Sequence, residues 1–92
     1  MEKTVYIKVT GKVQGIGFRW SAYEKFVELG LTGKAENSKD GGVEITATGE
    51  VDKLKELLRW AQKGPQGAKV NNMEYKTVEA ENASPEESTK EN

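Results

Sequence analysis

The 92-residue sequence contains no cysteine and no histidine, and these two absences exclude several common kinds of catalytic and metal site. Without cysteine, the chain cannot form a disulfide, a Cys-ligated zinc site or a thiol nucleophile. Without histidine, it cannot form a Ser-His catalytic pair or a His-based metal site. Catalysis by this chain must therefore depend on arginine, lysine, asparagine, carboxylates, hydroxyls and backbone amides.

The sequence also lacks a long hydrophobic run. No apolar stretch approaches the roughly 20 residues that a membrane-spanning helix needs. The first residues, from Met1 to Val5, do not have the charged-then-apolar layout of a signal peptide. We therefore expect a soluble, cytoplasmic protein that does not associate with a membrane.

Charge is nearly balanced, with 14 basic and 15 acidic residues, but it is unevenly distributed. Residues 80–92 contain four acids, one lysine and no large apolar side chain, so they cannot bury enough surface to offset the entropy cost of ordering. We expect one domain over residues 1–79 and a disordered acidic tail over residues 80–92. The domain carries 13 bases and 11 acids that are interspersed, which argues against a nucleic-acid-binding patch.

Alternating apolar residues predict strands at residues 4–10 and 43–48. A weak strand is expected at residues 34–38, before the Asp40-Gly41 turn, and a last strand within 70–79. Apolar residues at helical spacing predict a first helix over residues 18–29 and a second with its apolar stripe over residues 51–61. Gly30 and Gly64 follow these segments and are typical helix stops.

The predicted order is strand-helix-strand-strand-helix-strand. Two helices with one apolar face each can cover one side of an antiparallel four-stranded sheet, which is the α+β, ferredoxin-like split βαβ arrangement. The phase of the last strand stays open, because Met73, Tyr75 and Val78 share one face only if that strand contains a bulge. Many functions share this fold, so the function must be argued from a site.

The connection between the first strand and the first helix is the candidate site. Gly15 and Gly17 allow successive backbone N–H groups to turn toward an anion. The helix that starts near Phe18 adds unpaired N–H groups and the positive end of its dipole. Arg19 adds a planar guanidinium that matches phosphate or carboxylate oxygens. Taken alone, Gly-x-Gly is a weak motif, since a tight turn followed by a surface arginine has the same pattern.

Several separate motifs resemble those of the acylphosphatase family, in the family's order and without a gap over residues 4–79. The longest is Gly11-x-Val13-Gln14-Gly15-x-Gly17-Phe18-Arg19. The others are Gly30-Leu31-Thr32-Gly33, Asn37 before a turn, Asp40-Gly41-x-Val43-Glu44, Gly49 and Gly64-Pro65-x-x-Ala68-x-Val70. The chain departs from the family pattern at Lys34-Ala35, where members usually carry Trp-Val, and at Glu36, where they often carry arginine or another residue.

The resemblance implies a hydrolase that cleaves the carboxyl–phosphate bond of small acyl phosphates without a metal ion or other cofactor. In that family, arginine at the position of Arg19 binds the substrate phosphate together with the loop amides. The amides implied here are those of Gly15, Ile16, Gly17, Phe18 and Arg19. Asparagine at the position of Asn37 orients the attacking water, although an asparagine before a turn would by itself indicate only a turn former.

Two alternatives remain open. One is a non-catalytic domain that binds phosphate or carbamoyl phosphate. The other is an RNA-binding module of the same topology, but such modules stack bases on aromatic residues of the central strands. The strand at 43–48 has no aromatic residue and the strand at 4–10 has only Tyr6. We expect a monomer that binds a small acyl phosphate and no nucleic acid.

Overall fold

The computed structural model describes residues 1–80, which form a four-stranded antiparallel sheet and two helices. In chain order the elements are β1 (Glu2–Lys12), α1 (Phe18–Leu29), β2 (Thr32–Asn37), β3 (Val43–Glu50), α2 (Val51–Lys63) and β4 (Lys69–Glu79). The strand order is β2-β3-β1-β4, so the predicted ferredoxin-like arrangement is confirmed. The predicted tail, apart from Ala80, lies outside the described residues. None of the helices formed by residues 1–80 has the length and apolar character needed to cross a membrane.

The helices cover one face of the sheet because apolar residues alternate along the two central strands. Their buried residues lie directly opposite one another: Val5 opposite Ala47, Ile7 opposite Ile45 and Val9 opposite Val43. Each helix adds a buried stripe, which consists of Phe18, Ala22, Phe26 and Leu29 in α1 and of Leu54, Leu57 and Ala61 in α2. Packing of Phe18 in this core fixes the first turn of α1 against the end of the sheet.

The two helices end where the sequence predicted. In α1, Gly30 has a φ of +72°, and the N–H of Leu31 donates to the carbonyl of Phe26 at 2.8 Å. The N–H of Gly30 donates to the carbonyl of Val27 at 3.3 Å, which completes a Schellman motif. Helix α2 ends at Lys63, immediately before Gly64.

β4 contains a bulge, at a position that the apolar pattern did not indicate. Thr10 pairs with Asn72 but Gly11 pairs with Val70, so Asn71 is an extra residue on β4. The bulge lets Val70 and Met73 both pack against the core. Val78 lies opposite Thr4 and therefore on the other face from Met73, so the three apolar residues considered from the sequence do not share a face.

Candidate active site

The predicted loop forms part of the wall of a cavity of about 310 Å³, within the size range of small-molecule sites. The cavity is lined by Val13, Gly15, Gly17, Phe18, Arg19, Trp20, Tyr23 and Asn37. The structure therefore brings Arg19, at the start of α1, together with Asn37, at the end of β2. Ile16 is the one predicted site residue that does not line this cavity, because its side chain packs against the core.

The loop before α1 turns through two glycines in the left-handed region of backbone space. Gly15 has a φ of +77° and Gly17 a φ of +82°. A Cβ built on either residue would meet no other atom within 4 Å, so the backbone conformation, and not crowding, is what favours glycine here. Both glycines line the cavity, so their backbone is accessible from it.

The first turn of α1 has no side-chain cap. Gly17 occupies the N-cap position, and the first turn contains no acidic residue. The N–H of Ser21 donates to the carbonyl of Gly17 at 2.9 Å. The amide groups of the preceding residues, 18–20, have no helical carbonyl to which they could donate. The positive end of the helix dipole is therefore not neutralised by a neighbouring carboxylate.

Arg19 and Asn37 carry functional groups that the described chain does not engage. Both residues are exposed. Among residues 1–80, neither the Arg19 guanidinium nor the Asn37 side-chain amide makes a hydrogen bond or ion pair. Asn37 is held through its backbone instead, since it is the last residue of β2 and pairs with Val43 of β3. A cation and an amide are thus both available to a ligand in one cavity.

The turn that follows Asn37 is closed by backbone hydrogen bonds. The N–H of Ser38 donates to the carbonyl of Gly42 at 2.9 Å, and the N–H of Gly41 donates to the carbonyl of Ser38 at 3.1 Å. Asn37 therefore precedes a segment that is held in one conformation, which limits where its side chain can lie.

Asp40 reinforces this turn from the outside. Its Oδ1 accepts hydrogen bonds from the Ser38 hydroxyl at 2.5 Å and from the Gly42 N–H at 3.1 Å, and its Oδ2 lies 2.9 Å from Lys8 Nζ. The Ser38 hydroxyl, the Lys8 ammonium and the Gly42 N–H together hold the pKa of Asp40 well below its usual value. The hydrogen bond to Asp40 in turn raises the pKa of Lys8.

Two polar side chains that the sequence did not assign a role connect the segments from which the cavity residues come. Gln14 Nε2 donates to the carbonyls of Ser38 and Gly42 at 2.9 and 2.8 Å. The Tyr23 hydroxyl accepts the N–H of Ala35 at 3.1 Å. The available signals were the place of Gln14 inside the longest motif and the position of Tyr23 one helical turn after Arg19.

Another hollow, of about 460 Å³, lies against the sheet and includes Tyr6, Lys8, Glu44 and Lys76 among its lining residues. Its lining contains both basic and acidic side chains that pair with each other, since Lys8 Nζ lies 3.8 Å from a carboxylate oxygen of Glu44. It has neither a glycine loop nor a helix N-terminus among its lining residues. This hollow is therefore poorly suited to a phosphate group.

Comparison with known proteins gives consistent results for sequence and structure. The family model for acylphosphatase matches residues 5–88. An acylphosphatase from Caldanaerobacter subterraneus subsp. tengcongensis is 46% identical over 79 residues, which are 86% of this chain and 88% of that protein. The structure of an acylphosphatase from Coxiella burnetii matches with a TM-score of 0.81 and 39% identity, covering 86% of this chain and 83% of that one. Full-length HypF shares the fold alone, with a TM-score of 0.79 and 23% identity over 87% of this chain and 11% of that chain.

Proposed function

The chain belongs to the acylphosphatase family, and from this premise we propose that the cavity at the start of α1 is where the carboxyl–phosphate bond of small acyl phosphates is hydrolysed. The observation that carries the proposal is that Arg19 and Asn37 line the same cavity as Gly15 and Gly17. The products are a carboxylate and inorganic phosphate. The acyl group is held loosely in this proposal, because the charged groups are placed for the phosphate.

The phosphoryl group is bound by the backbone N–H groups of residues 15–19 and by the Arg19 guanidinium. Phosphoryl transfer passes through a loose transition state, so it depends mainly on positioning and on charge stabilisation. Donors that are already oriented before the reaction stabilise that charge without reorganisation. The free N–H groups at the start of α1 and the uncompensated helix dipole supply such donors.

Asn37 orients the attacking water through its side-chain amide. The water oxygen bonds to phosphorus as the bond to the carboxylate oxygen breaks, and the protons of the water pass to the product phosphate and to solvent. The departing carboxylate is the conjugate base of an acid with a pKa near ~4, so it leaves without being protonated. No general acid is required, and a chain without histidine and cysteine can support the reaction.

The experiment that tests this proposal is benzoyl phosphate hydrolysis by the wild-type chain, Arg19→Ala and Arg59→Ala. Losing one preorganised donor costs about 3–4 kcal/mol in the transition state, so we expect Arg19→Ala to lose at least about a hundred-fold in kcat/KM. Arg59 is the matched control, since it is the other arginine, is exposed on α2 and does not line the cavity. We expect Arg59→Ala to keep the wild-type rate.

Three outcomes would contradict the proposal. A normal rate in Arg19→Ala would remove the guanidinium from the mechanism. Phosphate binding without any turnover in the wild-type chain would favour the non-catalytic phosphate-binding alternative. The assay is repeated with a chelator, because activity that the chelator abolishes would contradict the metal-free mechanism.

We also propose a cytoplasmic monomer that does not bind nucleic acid. The interspersed charges of residues 1–79 support the absence of nucleic-acid binding, as does the presence of one aromatic residue, Tyr6, on the two central strands. Light scattering that gives the mass of one chain, and the absence of an RNA gel shift, are the expected results. A dimer mass or a shift with RNA would contradict the respective part.

A further inference from the structure

Gln14 joins the two halves of the proposed site. Its backbone leads directly into Gly15, and so into the phosphate loop. Its side-chain nitrogen donates to the carbonyls of Ser38 and Gly42, at 2.9 and 2.8 Å. These carbonyls stand at the two ends of the turn that follows Asn37. A half-buried side chain thus links the loop that holds phosphate to the segment that carries the water-orienting group.

The turn itself does not depend on Gln14. Its own backbone bonds, from Ser38 N–H to Gly42 and from Gly41 N–H to Ser38, close it already. Asp40 holds it further through the Ser38 hydroxyl and the Gly42 N–H. The carbonyls of Ser38 and Gly42 thus already accept backbone N–H groups within the turn. The two hydrogen bonds from Gln14 are additional, and they connect the turn to the phosphate loop.

Asn37 lies between two connections to the rest of the site. On one side, the Tyr23 hydroxyl accepts the N–H of Ala35 and links β2 to α1. On the other side, Gln14 holds Ser38 and Gly42. An amide nitrogen has two protons in a fixed plane, so using both on two carbonyls defines the orientation of the turn as well as its distance.

We propose that Gln14 is a positioning residue that sets Asn37, and the water it holds, in line with the phosphate on the loop. This inference rests on the proposed function. The rate of an attack depends steeply on the placement of the reacting atoms, and a displacement of about 1 Å can cost about a hundred-fold. Phosphate binding, by contrast, depends on the loop amides and Arg19, which Gln14 does not contact through its side chain.

The test uses Gln14→Met, which has a side chain of similar length but no donor. We expect kcat to fall by about ten- to a hundred-fold, while KM and the inhibition constant of inorganic phosphate stay within about threefold of wild type. A kcat within twofold of wild type would overturn the proposal. So would a loss of phosphate affinity as large as the loss of kcat, because Gln14 would then support the loop and not Asn37.

A double-variant cycle tests whether Gln14 acts through Asn37. In an Asn37→Ala background, Gln14→Met should cause no further loss of kcat, because the group that it positions is already absent. Losses that multiply would show that Gln14 acts independently of Asn37, and the proposal would be wrong.

Thr48→Val is the matched control for loss of a partly buried side-chain hydrogen bond. Thr48 Oγ1 lies 2.6 Å from Thr4 Oγ1. Thr48 is five residues along β3 from Val43, the residue that pairs with Asn37, which is roughly 17 Å at the rise of an extended strand. We expect a wild-type kcat in this variant. Should circular dichroism show that Gln14→Met does not fold, Gln14→Asn replaces it, since its shorter amide cannot reach both carbonyls and should give the same kcat loss.

A second readout separates this inference from the proposed function. The wild-type and Arg19→Ala rates test the function alone. In an NMR titration with inorganic phosphate, Gln14→Met should shift the side-chain amide signals of Asn37 while the phosphate dissociation constant stays within about threefold of wild type. Unchanged Asn37 signals would overturn the positioning role, whether or not the wild-type chain hydrolyses benzoyl phosphate.

Discussion

Arg19 is placed where its charge opposes the local electrostatics of the chain. It lies in the first turn of α1, near the positive end of the helix dipole, and the first turn contains no acidic residue. A cation at this end is unfavourable by about 0.3–1 kcal/mol. No partner among residues 1–80 compensates for it. An anion bound between them would be attracted both by the guanidinium and by the helix N-terminus, and these two attractions would outweigh the repulsion, which agrees with the proposed role of Arg19 in binding phosphate.

We predict that Arg19→Ala does not destabilise the free protein and loses its response to phosphate. The variant should have a melting temperature equal to or slightly above that of wild type at low salt, because an unfavourable charge–dipole interaction is removed. Phosphate should raise the melting temperature of the wild type but not of the variant, since only a ligand that binds the folded state stabilises it. Thermal melts with and without phosphate measure both effects. A variant that melts earlier than wild type without phosphate would mean that Arg19 has a structural role.

The glycine loop was predictable at the residue scale, but the orientation of Ile16 was not. The two glycines predicted a tight loop because glycine adopts positive φ angles at little cost, and both Gly15 and Gly17 have positive φ angles in the structure. Ile16 stands between them, and the sequence places it in the loop with no indication of its partner. Its side chain turns to the core because burial of an apolar side chain is favourable and the loop runs directly over the core. The role of its backbone N–H stays a prediction.

At the scale of elements, the turn between β2 and β3 follows Asn37 directly and is held by contacts that lie outside the cavity. Its backbone bonds are supplemented by Asp40, which joins the Ser38 hydroxyl, the Gly42 N–H and Lys8 of the neighbouring strand β1. All of these contacts favour the ionised carboxylate. The turn is therefore more strongly held when Asp40 is charged.

The stability of the folded protein should therefore depend on pH, in the direction set by the lowered pKa of Asp40. The folded state holds the carboxylate ionised more strongly than the unfolded state does, so Asp40 contributes stability above the ordinary aspartate pKa of 3.8, and this stability is lost as the pH falls below that value. We predict that Asp40→Asn is less stable than wild type at pH 7 and that the difference shrinks at pH 3. Urea unfolding at the two pH values measures it, and a difference that does not change with pH would contradict the prediction.

The strands β1 and β3 and both helices were predictable because their apolar residues repeat with a strand or a helical period, whereas β2 has one apolar residue, Ala35, and no period. The bulge in β4 was not predictable, since it depends on how β4 pairs with β1. A Cβ at Gly11 would lie 2.2 Å from the carbonyl oxygen of Lys69, so the two strands approach closely there only because residue 11 is glycine. Asn71 is accommodated as the extra residue on the partner strand. A contact between strands that are distant in sequence leaves no periodic signal in either of them.

At the scale of the whole molecule, the fold brings together a loop after β1 and the last residue of β2. Those two strands are not neighbours in the sheet, because β3 lies between them. The helix α1 crosses from β1 to β2 and so carries Arg19 and Tyr23 toward the end of β2. The motifs of the sequence contain residues that line the cavity, Arg19 and Asn37 among them, and their role in a reaction stays a prediction. The contacts of Gln14 with Ser38 and Gly42 depend on the folded backbone of another segment, and residue spacing does not predict them.

We propose that one cavity binds phosphate on the loop amides and Arg19, with Asn37 beside it. The most direct test is a titration of the isotope-labelled chain with inorganic phosphate, followed by backbone and side-chain NMR signals. We expect saturable shifts in the amides of residues 15–19, the Arg19 guanidinium and the Asn37 side chain, with no change at Tyr6 or Lys76 in the hollow against the sheet. Shifts confined to that hollow, or a titration that leaves Arg19 and the loop amides unchanged, would contradict the account.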